Sequence, residues 1–100
     1  MIPGSVSKLA EQVVSLTATV KQQADIVRVS STATTTVLVT LTPAFGNEVS
    51  QKCWIVNSSG GAITATTAGN IATTVSIPNG NMCTFIFSKS SGKWHADKTT

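Results

Sequence analysis

The chain has 100 residues, enough for one compact domain with a single small core. Hydrophobic residues make up 41% of it and charged residues only 11%, against a usual ~25%, so Ser and Thr, roughly a quarter of the chain, carry its solubility. The net charge of +3 comes from Lys8, Lys21, Arg28, Lys52, Lys89, Lys93 and Lys98, which are dispersed and never adjacent. Nucleic-acid binders gather such charge into a patch or stripe, so no nucleic-acid partner is expected. No stretch approaches the ~20 apolar residues that span a bilayer, and the start lacks a charged region followed by an apolar one, so neither membrane insertion nor secretion is expected.

From the N-terminus, Ile2, Val6, Leu9, Val13, Leu16 and Val20 are spaced alternately by four and three, and Val27 resumes the series after Gln23. This is the 3.5-residue seam of a coiled coil. It predicts a helical stalk over residues 1–25, ~30–35 Å long at 1.5 Å per residue, with Val6, Leu9, Val13, Leu16, Val20, Gln23 and Val27 along the seam. Ser5 or Ser7 is the N-cap. The flanking positions Ala10, Thr17, Ala24, Ser5, Gln12, Thr19 and Ile26 are uncharged, which favours a parallel trimer over a dimer. The other reading is an amphipathic helix folded back on its own domain. The helix is poor on propensity, since Thr17, Thr19 and the valines are β-branched.

After Asp25 the period shortens to two, opening an antiparallel β domain over 26–100. Ile26 to Val29 begins it, and Ser30 to Ala33 forms a turn. A strand over 35–42 follows, ended by Pro43, and Phe45-Gly46-Asn47 forms a loop. Gln51 to Asn57 is a clear strand, with Cys53 and Ile55 on one face and Trp54 and Val56 on the other. Ser58-Ser59-Gly60-Gly61 then predicts a hairpin to Ala62–Thr67. Strands over 71–77, 82–89 and 93–98 complete a small sandwich or barrel, with Cys83, Phe85 and Phe87 on one face of the second. The expected architecture is therefore mainly β: a coiled-coil helix followed by an antiparallel knob, assembled as a homotrimer that shares apolar faces.

Catalytic chemistry finds little support. The acids are Glu11, Asp25, Glu48 and Asp97, and the one histidine, His95, has no nucleophile motif beside it. No enzyme activity, cofactor or metal site is expected. Cys53 and Cys83 lie in strand-like apolar runs and read as buried thiols, with a bridge between them left open. Asn57-Ser58-Ser59 matches a glycosylation sequon but is more simply a turn.

The runs Thr40-Leu41-Thr42-Pro43-Ala44, Trp54 to Gly61, Ile63 to Thr66, Val75 to Gly80, Phe85 to Phe87 and Ser91-Gly92-Lys93-Trp94 resemble the β module of bacteriophage fibre and virion-decoration proteins. The resemblance covers Thr34 to His95 and departs from the pattern at Pro43–Gly46 and at Ala65. It implies a non-enzymatic virion protein, a trimeric head fibre or capsid decoration protein, assembled in the host bacterial cytoplasm with reduced cysteines. It further implies an N-terminal attachment end bound to a capsid or other virion protein, and an exposed knob with Trp94 capping the core. A tail-fibre segment or a glycan-binding host-recognition module is the alternative. Phe45 and Trp94 are then the candidate contacts for a host surface glycan.

Overall fold

A computed structural model describes residues 9–31 and 35–97. Among these the chain is all β, with no helix. The strands are β1 (Glu11–Val14), β2 (Thr19–Lys21), β3 (Ile26–Val29), β4 (Val37–Leu38), β5 (Thr40–Thr42), β6 (Gln51–Asn57), β7 (Ile63–Ala65), β8 (Val75–Ile77), β9 (Met82–Ser88) and β10 (Lys93–Ala96). They form a five-stranded sheet in the order β1-β3-β6-β9-β10, a β2-β5 pair, and a three-stranded sheet β4-β7-β8.

Consecutive strands mostly lie in different sheets, and the chain returns to each sheet in the same direction. β1 pairs with β3 and β3 with β6 in parallel, as do β2 with β5 and β4 with β7. The first two-thirds of the chain therefore wind as a short coil of stacked rungs. The last third closes the coil with antiparallel pairs: β7 with β8, β6 with β9 and β9 with β10.

This overturns the predicted N-terminal stalk and the wholly antiparallel knob. Residues 9–25 are two strands and their corners, and a division at residue 25 falls inside the fold, between β2 and β3. The physical reason lies in side chains that suit strands. Val13, Val14, Thr17, Thr19 and Val20 are β-branched, and tertiary pairing overrides a spacing that a helix would fill only with poor formers. Of the predicted seam, Val6 lies outside the described residues, as do Ser5 and Ser7. Leu16, Val20 and Val27 are buried in the common core, whereas Leu9, Val13 and Gln23 are exposed. A coiled-coil seam would bury all of them on one stripe. The true signal is alternation: Val14, Leu16, Val20 and Gln22 turn inward at even positions.

Two further expectations change. The strand over 35–42 breaks at Val39, so that β4 joins one sheet and β5 another. The predicted 51–67 hairpin is a corner, because β7 leaves β6 and pairs with β4 and β8. Ile71 makes only a single bridge, to Trp94.

The core lies between the sheets. Leu38, Leu41, Ile63, Ile71 and Ile77 meet Val27, Ile55, Phe85, Phe87 and Trp94, all fully buried. Phe87 and Trp94 pack edge to face with centroids 5.3 Å apart. The Trp94 indole N–H donates to the Leu41 carbonyl at 2.7 Å. Trp94 thus caps the core and ties the antiparallel end to β5.

Side-chain amides satisfy the corners. The Asn70 side chain accepts from the Leu41 N–H at 2.9 Å and donates to the Leu41 carbonyl at 2.7 Å, so one amide group continues the ladder beside β5. Gly69 lets it approach: a Cβ there would collide with the Val39 carbonyl oxygen. Buried Asn57 donates from Nδ2 to Gly61 and Ile77 carbonyls at 2.7 and 2.8 Å, fixing the β6–β7 corner.

Candidate interaction surfaces

Strand alternation gives the five-stranded sheet two unlike faces. Cys53, Ile55, Cys83, Phe85, Phe87 and Trp94 point into the core, and the residues between them point outward. Register aligns those outward residues in rows. One row runs Val13, Arg28, Val56, Met82; the next runs Glu11, Ile26, Trp54, Thr84; a third runs Lys52, Ile86, His95. The outer face therefore holds six apolar side chains: Val13, Ile26, Trp54, Val56, Met82 and Ile86. Val13, Met82 and Ile86 are exposed, and Ile26, Trp54 and Val56 are half-buried by their neighbours. Scattered single apolar residues on a surface are ordinary, but a continuous block on one sheet face marks a contact surface. Arg28 and Glu11 approach to 3.9 Å at the β1 side, an exposed pair of little energetic weight. Lys93 and His95 mark the β10 side.

A cleft of about 210 Å³ lies elsewhere, lined by Ala10, Gln22, Gln23, Ala24, Asp25, Ala44 and Phe45. Buried Gln22 shapes its floor, donating from Nε2 to the Ala24 and Lys52 carbonyls at 3.0 and 2.9 Å. Gln12 braces the adjoining corner by accepting from the Gln23 and Ala24 N–H groups. Asp25 follows the inward parity of β3, and its main-chain carbonyl accepts from the Trp54 N–H at 2.9 Å. That places the cleft on the opposite side of the sheet from the apolar rows.

The two predicted glycan contacts separate. Phe45 is exposed at the rim of this cleft, whereas Trp94 is fully buried and offers no face to a ligand. The sequence pattern could not distinguish them, because both follow a glycine-bearing turn or precede one. Gln22 and Asp25 were absent from the expected contacts. A polar residue at an inward even position was the available signal for Gln22.

The remaining chemistry is dispersed. Cys53 and Cys83 are free and buried. Burial, with a smaller contribution from the Asp25 charge, pushes the Cys53 thiol up to about 12. Burial and then Asp97 push Cys83 to about 11. Both thiols are therefore inert at neutral pH. They face the core, whereas His95 lies on the outer side of the sheet, so the three do not converge. His95 Nε2 lies 2.9 Å from Ser91 Oγ in the exposed β9–β10 turn, where the pair braces the hairpin. The Asn57 sequon is occupied by structure: its amide nitrogen is buried and donates twice. No described helix is long and apolar enough to cross a membrane. Comparison with protein families, with curated proteins and with solved structures finds no match to this chain.

Proposed function

We propose that the protein is a non-enzymatic structural component of a bacteriophage particle, a head fibre or capsid decoration protein that works as a homotrimer. The observation that carries assembly is the outer face of the five-stranded sheet, where Ile26, Trp54, Val56 and Met82 adjoin one another and Arg28 and Lys52 flank them. Adjoining apolar side chains flanked by charges are a layout found in protein contacts. A second and third copy of the same chain are the natural cover. Glu11 lies on the β1 edge and Lys93 on the β10 edge, so copies meeting edge to edge around a ring bring unlike charges together. Three such contacts close without an open end. The virion assignment rests on the resemblance of Thr34 to His95 to phage fibre and decoration modules. The assembly surface in this reading is the sheet, in place of a helical seam.

Native mass spectrometry and light scattering across a dilution series test the assembly. The expected mass is three protomers of 10.3 kDa each, and Met82→Glu, on an exposed side chain, should yield a folded single protomer. A wild-type chain that stays monomeric when concentrated removes the reading. For the virion part, the protein should sediment with assembled particles from producing cells; recovery only as free protein counts against it.

A further inference from the structure

Basic residues that are dispersed along the chain are gathered by strand register at one corner of the five-stranded sheet. Lys52 and His95 lie in one outward row with Ile86 of β9 between them, so two strand spacings, ~9–10 Å, separate their backbones. Lys93 stands two residues before His95 on the same face, ~7 Å along β10. Lys89 occupies the β9–β10 turn just beyond, where its N–H donates to Ser50 Oγ at 3.1 Å, beside the start of β6. All four residues are exposed. The turn between Lys89 and Lys93 is braced by the Ser88 and Ser90 hydroxyls at 3.1 Å and by Ser91 Oγ against His95 Nε2. Among the described residues none of the three lysines has a carboxylate within ion-pair distance; the described ion pair, Arg28 with Glu11, lies toward β1. Asp97 is one row away beside Thr84, and Glu48 is in the loop before β6.

Separations of this size match the screening length of ~10 Å at 0.1 M salt, so the fields of these side chains add and the corner acts as one positive patch. We infer that this corner binds the phosphodiester backbone of duplex nucleic acid without reading its base sequence. The expectation of no nucleic-acid partner came from dispersal along the chain, and register removes that ground. The chemistry selects this class. Lysine ammonium groups act as point charges toward phosphates, and the neighbouring Ser88, Ser90 and Ser91 hydroxyls are donors of the kind that contact the backbone. The four residues include no Arg, Asn or Gln to pair with base edges. A carboxylate-bearing protein partner calls for the planar fork of Arg, which the corner lacks. An anionic lipid surface calls for apolar side chains inserted among the basic ones, and Ile86 alone stands between these. The corner lies toward the opposite end of the strands from Val56 and Met82, and it is complete in one protomer.

The test is fluorescence anisotropy of a labelled DNA duplex of about 20 base pairs, titrated with the full chain between about 50 and 200 mM salt. Binding should saturate with a dissociation constant of about 10⁻⁴ M at the lowest salt. The logarithm of the binding constant should fall with that of salt at a slope of about −2.7, or ~0.9 for each lysine. Lys89→Gln and Lys93→Gln should each make the slope shallower by about 0.9. Lys21→Gln removes the same charge from β2, outside the corner, and should leave the slope unchanged. Lys89 has no part in the proposed trimer contact, so its variant reports on the corner whatever the state of assembly. Lys21, Lys89 and Lys93 are all exposed, so these variants fold. Absence of saturation at the lowest salt overturns the inference. A Lys21→Gln variant that loses as much slope as Lys89→Gln also does so, since binding would then follow net charge alone. Binding to vesicles of phosphatidylcholine and phosphatidylserine, with none to the duplex, overturns it in favour of a lipid contact. Polyglutamate bound more tightly than the duplex at equal charge overturns it in favour of an acidic protein partner.

Discussion

The parallel coil of β1 to β7 and the antiparallel end of β8 to β10 solve the same backbone problem by different means. In the coil, successive strands enter different sheets, so most corners have no hairpin ladder to satisfy their N–H and C=O groups. Amide side chains do it instead: Gln12 and Gln22 before β3, Asn57 after β6, Asn70 beside β5. One amide carries both a donor and an acceptor and so replaces a peptide unit. At the antiparallel end the β9–β10 turn closes through the Gly92 N–H to the Ser88 carbonyl at 2.8 Å, with Gly92 at a φ of 68°. Stability there comes from aromatic burial. The coil depends on polar corners and the end on large apolar side chains, and the Leu41 carbonyl, which accepts from both Asn70 and Trp94, joins them.

That contrast can be broken most directly at Trp94. Trp94→Ala should cost about 3–5 kcal/mol in urea unfolding, the usual range for emptying a large aromatic site. A loss below ~1 kcal/mol would mean that the aromatic end is dispensable. Asn70→Ala should cost less, about 2 kcal/mol, because it leaves the Leu41 N–H unpaired while Trp94 still serves the carbonyl. A neutral result would show that water replaces the amide and that the corners are not held as described.

The smallest effect concerns pH. Cys53 is raised from 9.0 to about 12 and Cys83 from 9.0 to about 11 by burial. The folded chain keeps thiol protons that the unfolded chain releases above pH 9. Stability is therefore full below that pH and falls as pH climbs toward these raised values. At pH 10 the loss from Cys53 is about 1 kcal/mol. Comparing wild type with Cys53→Ala at pH 8 and pH 10 isolates it; an identical pH slope in both would contradict the burial of that thiol.

Strand β6 was legible to its ends, and β9 nearly so, because Cys53, Ile55, Cys83, Phe85 and Phe87 alternate without interruption between turn residues. Residues 9–25 carry an ambiguous signal, because Leu16, Val20 and Val27 satisfy both a 3.5-residue and, across two corners, a two-residue pattern. The deciding inward residue, Gln22, is polar, and only its partners at Ala24, Lys52 and Ala44 explain its burial. Of the candidate contacts, an exposed Phe45 was legible from its loop, whereas the burial of Trp94 depends on Leu41, 53 residues away.

By itself the sequence determined a small, sparsely charged, Ser- and Thr-rich β chain with two core thiols and turns at its glycines. These properties follow from composition and from neighbours within a few residues. Tertiary structure alone decided that the first strands stack in parallel, that the apparent hairpin is a corner, and that the apolar rows and the Phe45 cleft lie on opposite sides of one sheet. Parallel rungs pair residues 15 to 28 positions apart, as Glu11 with Ile26 and Ile26 with Trp54. No local pattern encodes that separation; closing each rung and burying its inward side chains does.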